Sequence, residues 1–134
     1  MLVDSSVWID FLRGDTSPHT RHLLAALKNR DAVWTAPPIL QEVLQGADSP
    51  ERFKRWDRTW GELPVLTHSD QRELARAAAK LYASCRWRGI TPRSANDCLI
   101  VEYAIRAKMP LLHNNKYFIA IATLASELRL QSPE

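Results

Sequence analysis

The sequence predicts an α/β fold in which a small parallel sheet of four or five strands has helices on both faces. Three observations support this prediction. Short β-prone apolar runs alternate with longer segments whose apolar residues recur at helical spacing. No Asn-Gly pair, the strongest signal for a tight hairpin, joins any two of the predicted strands. Strands that alternate with helices form parallel sheets, because each helix carries the chain back to begin the next strand at the same edge.

Composition is typical of one soluble domain covering residues 1–134. The chain is 46% hydrophobic and 25% charged, and a chain of 134 residues is long enough to bury about two thirds of its unfolded surface. No apolar run approaches 18 residues and no signal-peptide pattern opens the chain, so we expect a cytoplasmic protein with no membrane segment. Cys85 and Cys98 lack metal-ligand spacing and are expected in the core. The net charge of +3 weakly favours a polyanionic partner.

The first unit is predicted to be a strand, a turn and a helix. Leu2 and Val3 form the strand, the turn spans residues 4–6, and the helix then presents an apolar face. Asp4 therefore lies at the carboxyl end of a strand, where open α/β sheets place their ligand sites. The alternative is that Asp4 only caps the helix, a common role for Asp that contributes about 1 kcal/mol.

The second unit repeats this order of elements. A helix over residues 16–30 precedes an apolar β-prone strand at 32–35, and a helix with prolines in its first turn then runs to Gly46. Glu42 lies one turn into that last helix. Glu42 is thus predicted near the carboxyl edge of the second strand.

The rest of the chain continues the alternation. Ser94 and Asp97 fit a capping box at the start of a helix whose apolar face includes Leu99 and Ile100. The other predicted elements are a helix at 49–61, a strand at 63–66, a long helix from 69 or 70 to about 86, a loop at 90–93, a strand at 110–113, a turn at 114–117, a helix at 118–125 and an edge strand at 128–130.

Three acids follow these elements at positions that a parallel sheet would bring to one edge: Asp4, Glu42 and Asp97. Two carboxylates about 4 Å apart repel by roughly 4 kcal/mol at an effective dielectric constant near 20, so such a cluster requires shared protons or a bound cation. Oxygen ligands of this kind suit Mg²⁺ or Mn²⁺, and metal-assisted hydrolysis of a phosphodiester is the chemistry they favour. Three separate structural roles, with Glu42 exposed and Asp97 at a helix start, are the alternative.

The same residues lie in three blocks that resemble the signature blocks of PIN-domain ribonucleases, especially VapC toxins of bacterial VapBC toxin-antitoxin pairs. The blocks are residues 2–11, the helix of Glu42, and residues 93–100. The resemblance implies a three-layer α/β/α PIN fold, with Mg²⁺ or Mn²⁺ held by Asp4, Glu42 and Asp97. It also implies that Ser6 orients Asp4, that the protein is a homodimer, and that a VapB-like antitoxin covers the active-site groove.

The fourth block departs from the family pattern. Where the family has Asp-x-Asp-Phe after the fourth strand, this chain has Asn115, Lys116, Tyr117 and Phe118. We therefore expect Asn115 to assist through a neutral carbonyl oxygen, with weaker metal binding than a fourth acid would give. The alternative function is a weakened or inactive PIN-fold protein that binds RNA or an antitoxin without cleaving.

Basic residues bracket the loop that leads to Asp97. Arg86, Arg88 and Arg93 are candidates for contacts with RNA phosphates, and Trp87 for stacking on a base. A solvated basic end of a helix is the alternative for each arginine. The remaining tryptophans are expected in the core or at a partner interface.

Overall fold

The computed structural model describes residues 1–133, and its centre is a parallel sheet. The two middle strands are β1 (Leu2–Val3) and β2 (Leu111–Leu112), paired in register Leu2 with Leu111 and Val3 with Leu112. Single parallel bridges extend the sheet on both sides: Trp34 pairs with Leu2, Val65 with Thr35, and Leu130 with Leu111. The five predicted strand segments are therefore present, in the spatial order third, second, first, fourth, fifth.

Helices surround this short sheet. The segment from 1 to 133 contains seven: α1 (Ser5–Leu12), α2 (Pro18–Lys28), α3 (Pro37–Leu44), α4 (Pro50–Trp60), α5 (Gln71–Trp87), α6 (Ala95–Ala107) and α7 (Lys116–Ala122). Polar side chains satisfy several of their free N-terminal amides: Ser17, Ser49 and Asp70 each accept a hydrogen bond from the backbone of the helix that follows. The prediction of an α/β fold with a small parallel sheet is confirmed.

The last helix differs from its prediction. It was expected at 118–125, after a turn at 114–117, but α7 begins at Lys116 and ends at Ala122. The physical reason is Asn115, whose side-chain oxygen Oδ1 accepts a hydrogen bond from the Tyr117 amide at 3.0 Å and so caps the helix. Similarly, α1 begins at Ser5, inside the turn predicted for residues 4–6, because Asp4 is its cap.

The core lies on both sides of β1 and β2, whose four residues are fully buried. Trp8 of α1 and Trp60 of α4 are buried and pack edge to face, with ring centroids 5.0 Å apart. Trp60 therefore lies in the core, as expected. Cys85 and Cys98 are free and buried, also as expected. Within the described chain no helix is long and apolar enough to cross a membrane.

The strand order determines where a ligand site can form. From β1 the chain moves outward to one side, and after α6 it returns to the other side of β1 to form β2. The gap between the carboxyl ends of β1 and β2 is the switch point of the sheet, where open α/β folds bind ligands. Asp4 directly follows β1 there, and Asn114 and Asn115 come shortly after β2.

Candidate metal centre at the switch point of the sheet

Asp4 caps α1 and lies at the carboxyl end of β1. As the N-cap of α1 its Oδ2 accepts the Ser6 amide at 3.0 Å, and the same oxygen accepts the Ser6 hydroxyl at 2.6 Å. The backbone amide of Asn114 donates to Ser6 Oγ at 3.0 Å, and this bond joins α1 to the segment that follows β2. The Asp4 side chain is thereby oriented at the switch point, with only 1% of the residue exposed.

Glu42 reaches the same region from α3. This helix starts directly after the second strand segment, with Pro37 and Pro38 in its first turn, and Glu42 follows one turn later. The Ser5 hydroxyl donates to Glu42 Oε2 at 2.8 Å. The other oxygen, Oε1, is buried and has no hydrogen-bond partner in residues 1–133. Burial of an acceptor without a partner is costly, so this oxygen is available to an external ligand.

Asp97 is the third residue of α6, and 1% of it is exposed. Its Oδ2 accepts the backbone amides of Arg93 at 2.9 Å and Ser94 at 3.3 Å. These are the bonds of the predicted capping motif, in which the acid reaches back to the residues before the helix. They hold the carboxylate at the N-terminus of α6, where the helix dipole also favours a negative charge.

The three carboxyl groups influence one another electrostatically. Burial raises the pKa of Asp4 to about 6; hydrogen bonds from Ser6 oppose this rise, and the charges of Glu42 and Asp97 add to it. Burial also raises the pKa of Asp97, against the hydrogen bond from Ser94 and the charge of Arg93, and the charge of Glu42 raises it further. Asp4 therefore lies within the field of Glu42 and Asp97, and Asp97 within that of Glu42.

The geometry is looser than a closed metal cage. Across residues 1–133, no three His, Cys, Asp or Glu side chains lie close enough together to hold a metal ion as they stand. Mg²⁺ and Mn²⁺ do not require such a cage, because they bind one or two carboxylates and keep several waters. Buried acids of raised pKa and the unpartnered Glu42 Oε1 are the hard oxygen donors that such an ion takes. The residues present thus fit a hydrated divalent cation.

Asn115 lies close to this edge and caps α7. Its carbonyl oxygen Oδ1, which is expected to assist a metal, accepts the Tyr117 amide. The amide nitrogen Nδ2 is buried and lacks a partner among the residues that the structure describes. A carbonyl oxygen has a second lone pair, so the assistance of Asn115 to a metal stays a prediction.

Sequence reasoning missed three polar residues of the edge. Ser5 supports Glu42 through its hydroxyl, and the Asn114 side chain donates to Asp10 Oδ2 at 2.9 Å. Asp10 follows Ser6 by one helical turn on α1, so the four-residue spacing was a signal for one shared face. Nothing local in the sequence indicates the partners of Ser5 and Asn114, which are distant along the chain.

The predicted basic residues separate into two groups. Arg93 lies beside the acids, with its guanidinium Nη2 3.6 Å from Glu42 Oε2. Arg86 and Arg88 lie at the end of α5, exposed, beside Trp87, which is 74% exposed. The structure thus places Arg93 at the candidate site and the other two on the adjoining surface.

Comparison with known proteins gives consistent findings. The PIN domain family matches residues 1–124. The chain is 34% identical over 129 residues to VapC ribonuclease Mb1587 of Mycobacterium bovis and to ribonuclease VapC11 of Mycobacterium tuberculosis, covering 94% of this chain and 94% of each relative. One similar solved structure is VapBC2 from Rickettsia felis bound to a promoter DNA fragment, with a TM-score of 0.73 and 19% identity over 97% of this chain and 96% of that chain. Another is VapBC-1 from nontypeable Haemophilus influenzae, with a TM-score of 0.71 and 19% identity over 98% of this chain and 96% of that chain.

Proposed function

The chain belongs to the PIN domain family and to its VapC ribonucleases, and from this premise we propose that it is a metal-dependent endoribonuclease. We infer that it is the toxin of a type II toxin-antitoxin pair and hydrolyses phosphodiester bonds of RNA. The support is the family membership over nearly the whole chain together with buried acids at the switch point of the sheet.

One observation carries the catalytic part of the proposal. Asp4 is almost fully buried, and its pKa is raised to about 6 beside two further acids. A buried carboxyl without a cationic partner destabilises the fold when ionised, and buried acids of raised pKa are typical of functional sites. A purely structural N-cap needs no second and third acid beside it.

Each residue then has a specific task. Asp4, Glu42 and Asp97 would hold the cation, with waters in the remaining positions. When bound, Mg²⁺ or Mn²⁺ supplies an activated water and offsets the negative charge that develops on the phosphate. Ser6 positions Asp4 through two hydrogen bonds, and Ser5 positions Glu42 through one.

The basic residues bind the substrate in this proposal. Arg93 contacts RNA phosphates next to the acids, while Arg86 and Arg88 extend the basic surface along the end of α5. Trp87 offers an exposed ring for stacking on an unpaired base.

We propose a VapB-like antitoxin, a second copy of this chain and a cytoplasmic location as the biological setting. Two of the similar structures carry VapBC names, which supports an antitoxin partner. Leu24 and Phe53 are 40% and 44% exposed on α2 and α4, and such apolar side chains suit an antitoxin segment, whereas Leu23 is fully buried and belongs to the core.

The decisive test is RNA cleavage with Mn²⁺ by the wild type and by Asp4→Asn and Asp97→Asn. We expect each substitution to reduce the rate at least about 100-fold, since both remove a charged ligand. Glu102→Gln is the matched control, because Glu102 lies on the same helix as Asp97 but pairs with Arg106 away from the acids, and its rate is expected to stay within about twofold of wild type. Undiminished cleavage by both active-site variants would identify a contaminating nuclease.

A second candidate function is a PIN-fold protein that binds RNA or an antitoxin without cleaving. The observation in its favour is Asn115, which stands where the family has an acid and whose carbonyl oxygen is engaged in a helix cap. RNA that is bound but stays intact with Mn²⁺ would support this function over the first.

A further inference from the structure

Arg93 contacts two of the three acids at once. Its backbone amide donates to Asp97 Oδ2 at 2.9 Å, and its guanidinium lies 3.6 Å from Glu42 Oε2. The positive charge of Arg93 also lowers the pKa of Asp97 against the effect of burial. One residue of the loop before α6 thus joins the acid of α3 to the acid of α6.

The same side chain is the principal positive charge at the site. Among the ion pairs that the described residues form, the pair with Arg93 is the one that involves Asp4, Glu42 or Asp97. The Arg93 side chain is 48% exposed, whereas that of Glu42 is 13% exposed. The guanidinium therefore reaches the mostly buried acid from the solvent side.

We propose that Arg93 is an internal counterion that occupies Glu42 until a divalent cation binds, and that it then releases Glu42 and turns to an RNA phosphate. The inference rests on the proposed metal-dependent function and adds a positioning residue to it. A guanidinium has donors and no lone pair for a metal, so its positive charge beside Glu42 Oε2 opposes a cation that binds the neighbouring Oε1. Released, it has the planar fork that suits a phosphate.

This exchange has opposite consequences for the two ligands. Without Arg93, Glu42 is free for the cation and the repulsion between two positive charges disappears, so metal binding becomes tighter. The RNA phosphate loses its contact at the same time, so RNA binding becomes weaker. A residue that only supported the loop would weaken both.

The test is a calorimetric titration of Mn²⁺ into the wild type, Arg93→Gln and the control Arg76→Gln at pH 8 without RNA. We expect Arg93→Gln to bind Mn²⁺ about two- to fivefold more tightly, the range for one partly exposed ion pair, and Arg76→Gln, an exposed position on α5, to match the wild type. Circular dichroism verifies that each variant is folded. Affinity that is unchanged or weaker in Arg93→Gln overturns the inference.

A second measurement observes the release directly. In the wild type, the side-chain Nε–H nuclear magnetic resonance signal of Arg93, assigned by its loss in Arg93→Gln, is expected to shift on titration with diamagnetic Mg²⁺. A signal that stays constant while Mg²⁺ binds overturns the exchange but leaves the metal site intact. Failure of the wild type to bind either cation at millimolar concentration overturns the proposed metal-dependent function itself, which separates the two outcomes.

Discussion

Two acidic clusters of this protein each contain one arginine, and they use it differently. On the surface, Arg106 of α6 hydrogen-bonds both Glu73 and Glu102, and His68 contacts Glu73 at 2.9 Å. At the switch point, Arg93 approaches Glu42 at 3.6 Å, and its guanidinium makes no hydrogen bond to an acid within residues 1–133. Both acids of the surface cluster are hydrogen-bonded to the Arg106 side chain, whereas no acid of the switch-point cluster is hydrogen-bonded to an arginine side chain within residues 1–133.

The pKa values show the consequence. Hydrogen bonding to Arg106 is the main reason that the pKa of Glu73 is lowered, so its charged form is stabilised. Burial raises the pKa of Asp4, so its charged form is destabilised. Acidic residues that are exposed and hydrogen-bonded directly to an arginine form a structural cluster. Acidic residues that are buried and incompletely paired form a candidate ligand site.

The largest expected effect that distinguishes the clusters is on stability. The pKa of Asp4 is raised from 3.8 to about 6 in the fold, so the native state binds more protons than the unfolded state between these values. The free energy of unfolding of the metal-free protein therefore falls as pH rises from about 4 to about 6. The total loss, reached above pH 6, is about 3 kcal/mol. Asp4→Asn removes this loss and retains a capping side chain.

Urea unfolding in EDTA measures this difference. We expect Asp4→Asn to be more stable than the wild type by about 3 kcal/mol at pH 8, with the difference decreasing towards pH 4. Glu73→Gln serves as the comparison from the surface cluster and should show no such gain. A stability difference that is independent of pH would contradict the assignment of charge strain to Asp4.

The intermediate effect concerns the missing fourth acid. In Asn115→Asp, one carboxylate oxygen can still cap α7 while the other replaces the unpartnered amide group. We expect Mn²⁺ to bind about tenfold more tightly, equivalent to about 1.4 kcal/mol. Calorimetric titration of Mn²⁺ measures this change.

The substitution Asn29→Asp is the matched control for Asn115→Asp. It makes the same change from asparagine to an acid, at an exposed position that directly follows α2. We expect it to change Mn²⁺ affinity less than twofold, since exposed charges are screened. Equal gains in both variants would show that net charge, not the fourth position, determines the affinity.

The smallest effect is expected at the surface cluster. Glu73→Gln removes a half-exposed partner of Arg106, and such pairs contribute little because water and salt screen them. We expect the melting temperature to change by no more than about 2 °C and the Mn²⁺ affinity to stay the same. A marked loss of Mn²⁺ binding would make the surface cluster a second metal-responsive site and remove the contrast.

Much of the fold and part of the site could be predicted from local patterns. Helical spacing and β-prone runs gave the alternation of elements, and the caps at Asp4 and Asp97 follow from residue type and position. These features are local because each depends on residues within one or two turns of the chain. The helix α7 begins two residues before its predicted start, because Asn115 caps it from within the predicted turn.

Local sequence patterns specify which elements form and which acids follow them. The side-chain contacts at the site depend on the folded chain: Ser5 and Arg93 contact Glu42, and the Asn114 backbone amide donates to Ser6. Ser5 and Glu42 are 37 residues apart and Ser6 and Asn114 are 108 apart, so only packing of the helices around the sheet makes them neighbours. Hydrophobic spacing specifies that packing in outline, while the directions of single side chains depend on the whole of it.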